Sequence, residues 1–215
     1  MIRIAISVEG QTEEAFVKSL LVPYFRQCGI EMIPVIVTTS KDRCGTKHKG
    51  GCITLERVKN EIEKLLHSFD YVTTFYDFYG FQNRPTDSVD ELEKRIYNLF
   101  DNRKVIPYVQ QYEFETLLFC DPGYYQEYFG ESTISDEMKK ILAIFQDDVE
   151  KINDSPQTAP SKRIEALFEK IGERYDKVFY GEAIASDIGL EVIRKKARRF
   201  NAWIEKIKSL GECID

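Results

Sequence analysis

The spacing of apolar and polar positions changes several times along the chain, and each change predicts a new element. Ile2 to Val8 is a short, largely apolar run rich in β-branched residues, the pattern of a strand buried on both faces. Helical spacing follows at once. Thr12 is placed to act as N-cap, Glu13 and Glu14 fall in the positive first turn, and Phe16, Leu20, Tyr24 and Cys28 continue an apolar stripe towards Gly29, with Pro23 expected to kink the helix. Ile33 to Thr39 reads as a second strand, and Lys41 to Gly51, rich in basic residues and glycine, reads as a mobile loop. Leu55, Val58, Ile62, Leu65, Leu66 and Phe69 follow helical spacing, after which Tyr71 to Tyr76 predicts a third strand that stops at Asp77. Ser88 and Glu91 have capping-box spacing ahead of the stripe Leu92, Ile96 and Leu99, and Val105 to Gln110 supplies a fourth strand.

Beyond about Pro122 the helical period takes over, first at Met138, Ile141, Leu142, Phe145 and Val149, then at Ile164, Leu167, Phe168 and Ile171. A polar loop from Asn153 to Lys162 separates these two stripes, and Ile193, Ala197, Phe200, Ile204 and Ile207 mark a terminal helix or pair of helices. Strands alternating with helices imply an α/β fold, a parallel sheet with right-handed crossovers and helices on both faces, followed by a helical C-terminal extension. The expected division is 1–122 for the sheet domain and 123–215 for the extension, packed as one compact unit.

With 215 residues, 43% of them hydrophobic, the chain can bury one substantial core. No stretch approaches the roughly 18 to 20 apolar residues that span a bilayer, and the N-terminus runs straight into a strand pattern instead of a signal peptide, so a cytoplasmic protein is expected. A formal charge of −6 disfavours a protein that coats duplex nucleic acid with its whole surface; any such contact must use a local basic groove. Five cysteines without regular spacing argue for reduced thiols. Cys44, His48 and Cys52 lack the fourth ligand and the tight cysteine pair that structural zinc requires.

Candidate chemistry concentrates where strands stop. Glu9 follows the first strand, Asp77 the third, and Glu113 and Glu115 the fourth. The carboxyl ends of strands in an open parallel sheet share one edge, so carboxylates far apart in sequence can converge there on a divalent cation. The same residues also suit plainer tasks: Glu13 capping the first helix, Glu113 or Glu115 opening the next one, and Asp77 stabilising a turn. Arg43, Lys47 and Lys49, in the loop after strand two, are candidates to hold phosphate, and a solvated loop explains them equally well. Gly10 alone makes neither a P-loop nor a dinucleotide fingerprint. The basic cluster Arg194, Lys195, Lys196, Arg198 and Arg199 suits nucleic acid, a partner's acidic face or simply water, and Phe200 and Trp203 read as core.

The start Val8-Glu9-Gly10-Gln11-Thr12-Glu13, the strand end Asp77-Phe78-Tyr79-Gly80, the segment Tyr112-Glu113-Phe114-Glu115-Thr116-Leu117-Leu118-Phe119, Ala159-Pro160-Ser161-Lys162-Arg163, Gly189-Leu190-Glu191 and Phe200-Asn201-Ala202-Trp203 together resemble the domain-of-unknown-function family numbered 4276 over nearly the whole chain. The first half also resembles Toprim domains, including those of the overcoming-lysogenization-defect nucleases. That resemblance implies a magnesium- or manganese-dependent nuclease or related phosphodiesterase, acting in phage defence with an ATPase partner. In those domains a glutamate after strand one and an Asp-x-Asp after strand three hold the metal. Glu9 and Asp77 match the first two positions, and Tyr79 stands where the second aspartate is expected. Glu113 or Glu115 would then complete the carboxylate set, with Glu9 or Glu13 as general base. The alternative is a non-catalytic Toprim-like interaction module of an ATPase complex.

Overall fold

A computed structural model describes residues 1–41, 47–49, 53–100, 103–130, 132–153 and 156–211. Their contacts define two compact units, Met1–Gln110 with Trp203–Asp215, and Gln111–Ala202.

The first unit is an α/β sheet unit. Its strands β1 (Ile2–Val8) and β2 (Ile30–Ile36) are joined by α1 (Gln11–Phe16), a π-helical turn (Val17–Leu21) and α2 (Val22–Gln27). An antiparallel ribbon follows, β3 (Thr38–Lys41) with β4 (Lys47–Lys49), then α3 (Leu55–Leu65) and β5 (Tyr71–Asp77). A 3-10 turn (Phe78–Gly80), α4 (Val89–Asn98), β6 (Val105–Ile106) and β7 (Val109–Gln110) complete it. The main sheet is parallel, in the order β2-β1-β5-β6, with β7 also pairing with β5. Ile4 to Val8 and Val72 to Asp77 are buried without a break. Since successive strand residues point to opposite faces, both faces of the sheet are covered, which is why these runs lack alternation.

Local chemistry accounts for three departures from the sequence reading. The first helix starts one residue before Thr12, on Gly10 as N-cap, and Pro23 is accommodated without a break: Val22 N–H reaches back to Val17 O across a π turn, and the ring sits in the first turn of α2 where an amide is dispensable. The expected fourth strand is split at Pro107 into β6 and β7, because proline cannot donate to the ladder. Thr74 replaces the lost pairing: its hydroxyl donates to Tyr108 O at 2.7 Å and accepts from Tyr108 N at 2.9 Å, while the Thr73 hydroxyl donates to Ile106 O at 2.6 Å. The segment expected as a loop from Lys41 contains β4, and the second strand ends at Ile36 before β3 begins.

Trp203 belongs to this unit's core. Its ring stacks on Tyr108 at 4.5 Å and Phe75 at 5.7 Å, and its indole N–H donates to Thr73 Oγ1 at 2.9 Å.

The second unit shows no strand among its described residues. A 3-10 segment (Phe114–Phe119) leads to α5 (Pro122–Phe129), α6 (Thr133–Ile144), two further 3-10 turns (Val149–Lys151 and Pro156–Thr158), α7 (Pro160–Lys170), α8 (Lys177–Ile188) and α9 (Leu190–Lys196). The last helix, α10 (Arg198–Lys208), begins in this unit and is counted with the first from Trp203 onward. Phe168 anchors an aromatic cluster, edge-on to Phe129 at 5.4 Å and to Tyr180 at 4.9 Å. Among the described residues no helix is long and apolar enough to cross a membrane.

Candidate functional site

Strand order decides where the carboxylates fall. β1 is flanked by β2 on one side and β5 on the other, so the chain reverses its direction of strand addition between β1 and β5. In open α/β sheets this switch point opens a crevice at the carboxyl ends of the strands, where ligands bind. Val8 pairs with Phe75, which sets Glu9 immediately beyond the end of β1 and Asp77 at the last position of the neighbouring strand.

Gly80 packs against Glu9. A Cβ added there would fall on the Glu9 carboxylate, 2.7 Å from Cδ and 2.8 Å from Oε1, so the carboxylate of Glu9 is seated against the turn that leaves Asp77. Tyr76 reports the same proximity. Its hydroxyl, held well above its ordinary range by burial, donates to Ser7 Oγ at 2.6 Å, and the negative charges of Glu61 and Glu9 add to the upward shift. Asp77 is only 7% exposed and begins the 3-10 turn without capping it through its side chain.

Glu13 has a structural task. Its Oε2 accepts the Gly10 N–H at 2.9 Å, closing the helix start that immediately follows Glu9. Tyr79, where the resemblance to Toprim domains leads to the expectation of a second aspartate, presents its ring to Arg84. The Arg84 guanidinium lies 4.3 Å from the Phe78 ring centroid and 5.3 Å from that of Tyr79, and its Nη1 donates to Phe78 O at 3.1 Å. Sequence reasoning missed Arg84, because a single arginine in a polar loop carries no periodic signal.

Glu113 and Glu115 belong to the second unit. Tyr112 adopts φ 63, rare for an aromatic residue, and Glu113 N bonds back to Gln111 O at 3.0 Å. From this turn Glu113 Oε2 accepts the Ser161 N–H at 2.8 Å, placing a carboxylate on the positive end of α7. Glu115 is fully buried; it forms an ion pair with Lys177 at 3.2 Å and accepts a long hydrogen bond from Tyr175 Oη at 3.4 Å. Burial raises its pKa above the ordinary carboxylate value, and Lys177 only partly offsets this.

A carboxyl raised in the folded state contributes most below its unfolded pKa, and that contribution is lost as pH rises through the folded value. Glu115→Gln is therefore expected to gain stability relative to wild type as pH rises above the ordinary carboxylate range. Chemical denaturation from pH 4 to 8 (roughly the span over which such a group titrates) checks this; a difference that stays constant with pH would show that Glu115 ionises normally.

The structure thus brings Glu9 and Asp77 to adjacent strand ends and gives Glu13, Glu113 and Glu115 partners inside their own units. Among the described residues no three His, Cys, Asp or Glu side chains group to hold a metal ion. Lys47 and Lys49 fall on β4, whereas Arg43, Cys44 and Cys52 lie outside the described residues.

Comparisons with solved structures return the C-terminal region of the Xanthomonas campestris pv. campestris OLD protein. The mercury-phased form has a TM-score of 0.41 and 18% identity, covering 96% of each chain. The platinum-phased form has a TM-score of 0.39 and 18% identity, covering 97% of this chain and 95% of that one. No curated protein matches the chain. The model of one family, described as a domain of unknown function, matches residues 8–208, which is almost the whole sequence, and the chain therefore belongs to the DUF4276 family.

Proposed function

We propose that the Glu9 and Asp77 crevice holds a magnesium or manganese ion and that the protein is a metal-dependent nuclease or related phosphodiesterase of Toprim type. The observation that carries this reading is the seating of the Glu9 carboxylate on Gly80, beside Asp77, at the switch point of a parallel sheet. Two carboxylates fit the ion: magnesium keeps several waters and takes one or two protein carboxylates together with substrate phosphates, so a closed set of three is unnecessary. Once bound, the metal would neutralise phosphate charge and acidify a coordinated water.

The remaining roles fall to this chain's own side chains. Glu13 fixes the Glu9–Gly10 turn through its bond to Gly10 N, making it a positioning residue. Arg84, anchored by Phe78 O and two aromatic faces, supplies a fixed cation for a phosphate oxygen next to Asp77, where Toprim domains carry a further carboxylate. Lys47 and Lys49 on β4, with Arg43, would add contacts along the phosphate backbone. An ATPase partner and a role in phage defence follow from the Toprim resemblance alone.

A second reading, a non-catalytic interaction module, is favoured by Tyr79 in place of the second aspartate. Cleavage assays separate the two. Purified protein, with its ATPase partner where required, is expected to cut nucleic acid in magnesium or manganese, and Asp77→Asn to remove most of that activity with the fold retained. Equal cleavage by both proteins would expose a contaminant, and no cleavage under any metal or partner condition would leave the interaction module standing.

A further inference from the structure

A second charged feature lies within the helical unit, apart from the carboxylates. A cavity of about 370 Å³ is lined by Lys151 from the turn after α6, by Lys195 and Lys196 from the end of α9, and by Arg198 from the start of α10, with Asp147 and Asp148 on its wall. Four cations face two carboxylates here, in a protein whose net charge is −6. Asp148 is engaged with Lys151 at 3.3 Å. Among the described residues Lys195, Lys196 and Arg198 have no ion-pair partner.

Hydrogen bonds join the backbone on two sides of the cavity. Glu150, adjacent to Lys151, accepts Arg199 N at 2.8 Å through Oε2 and Phe200 N at 3.1 Å through Oε1, tying the turn to the first turn of α10. It thereby satisfies the helix-end amides beside Arg198, so the cationic side chains project from a pinned backbone. Gln146 and Asp147, which line the same wall, are consecutive non-glycine residues at φ 57, a conformation such residues seldom adopt and one that clusters at binding sites.

We propose that this cavity binds a phosphate group. Two ammonium groups and a guanidinium fork converging without carboxylate partners suit a multivalent oxyanion better than a single carboxylate, because each can take a separate oxygen. The volume lies within the range of about 300–1,000 Å³ typical of small-ligand sites. Lys195 and Lys196 also complement the negative end of α9, but that interaction leaves their N–H donors available. The proposal does not rest on the metal reading, since no member of the cavity belongs to the Glu9 and Asp77 crevice.

The test uses inorganic pyrophosphate and a short single-stranded oligodeoxynucleotide as probes, in chelator, so that metal plays no part. In wild-type protein either probe should protect Lys195 and Lys196 from acylation, read by mass spectrometry, while exposed Lys64 elsewhere in the chain stays reactive. The variant Lys195→Glu, Lys196→Glu, Arg198→Glu should bind at least tenfold more weakly, with Lys196→Arg close to wild type. If the oligonucleotide is the ligand, the dependence of log K on log salt should flatten by about 0.7 for each phosphate contact removed. Protection by pyrophosphate alone would identify a free phosphate ligand, and protection by the oligonucleotide alone a nucleic-acid backbone; both support the phosphate site. Equal reactivity of Lys195, Lys196 and Lys64 with and without both probes overturns the proposal, and because that measurement needs only wild-type protein it holds even where the triple variant fails to fold.

Discussion

Gly80→Ala is expected to abolish the response of the protein to magnesium and manganese while leaving its fold in place. Gly80 has no left-handed backbone requirement, so alanine meets no conformational barrier there. The added methyl group would occupy the position of the Glu9 carboxylate. Glu9 must therefore rotate away, and the cost to apo stability should not exceed the ~1–3 kcal/mol of a local overpacking. Displacing a reacting group by about an ångström can cost a hundredfold in rate, so cleavage should fall by about that factor or more. Thermal melting in chelator and in metal, together with the cleavage assay, checks both halves. A Gly80→Ala protein with a full metal shift would remove Glu9 from the site.

Asp77→Asn is expected to separate the two roles a strand-end aspartate can have. Clustered carboxylates repel one another in the apo protein, so removing one charge should leave the melting temperature in chelator equal to or above that of wild type. A cation that binds only the folded arrangement should stabilise wild type by about 2.7 kcal/mol at a hundredfold excess over its Kd, and most of this should vanish in the variant. Loss of stability in chelator would instead mark Asp77 as a residue of the turn it opens, and an undiminished metal response would place the ion elsewhere. Glu13→Gln is a useful contrast, because an amide oxygen can still accept the Gly10 N–H and keep the helix start closed.

The elements of the sheet were legible because their signals are local. Ile2–Val8 and Tyr71–Tyr76 are largely apolar or β-branched, without strict alternation, for the same reason that β1 and β5 are buried on both faces, and a carboxylate stands at the end of each run. The capping pair Ser88 and Glu91 is likewise local, and the Ser88 hydroxyl does accept the Glu91 N–H at 3.3 Å. Family membership was legible too, because it rests on several short motifs spread along the chain.

Tertiary structure alone decided which carboxylates share a place. That β1 and β5 are neighbours depends on a pairing between residues 67 positions apart in number, such as Val8 with Phe75, and no periodicity within either strand encodes it. The partner of Glu113 is Ser161, separated by 48 positions, so that no local pattern could tell a carboxylate capping α7 from one available to an ion. Arg84 and Gly80 acquire meaning only from what the turn after β5 sets beside them, an aromatic pair and the Glu9 carboxylate. In the same way Lys195, Lys196 and Arg198 read as a solvated helix face until the turn carrying Lys151 is folded against them, because a sequence records charge along the chain while a cavity depends on charge across it.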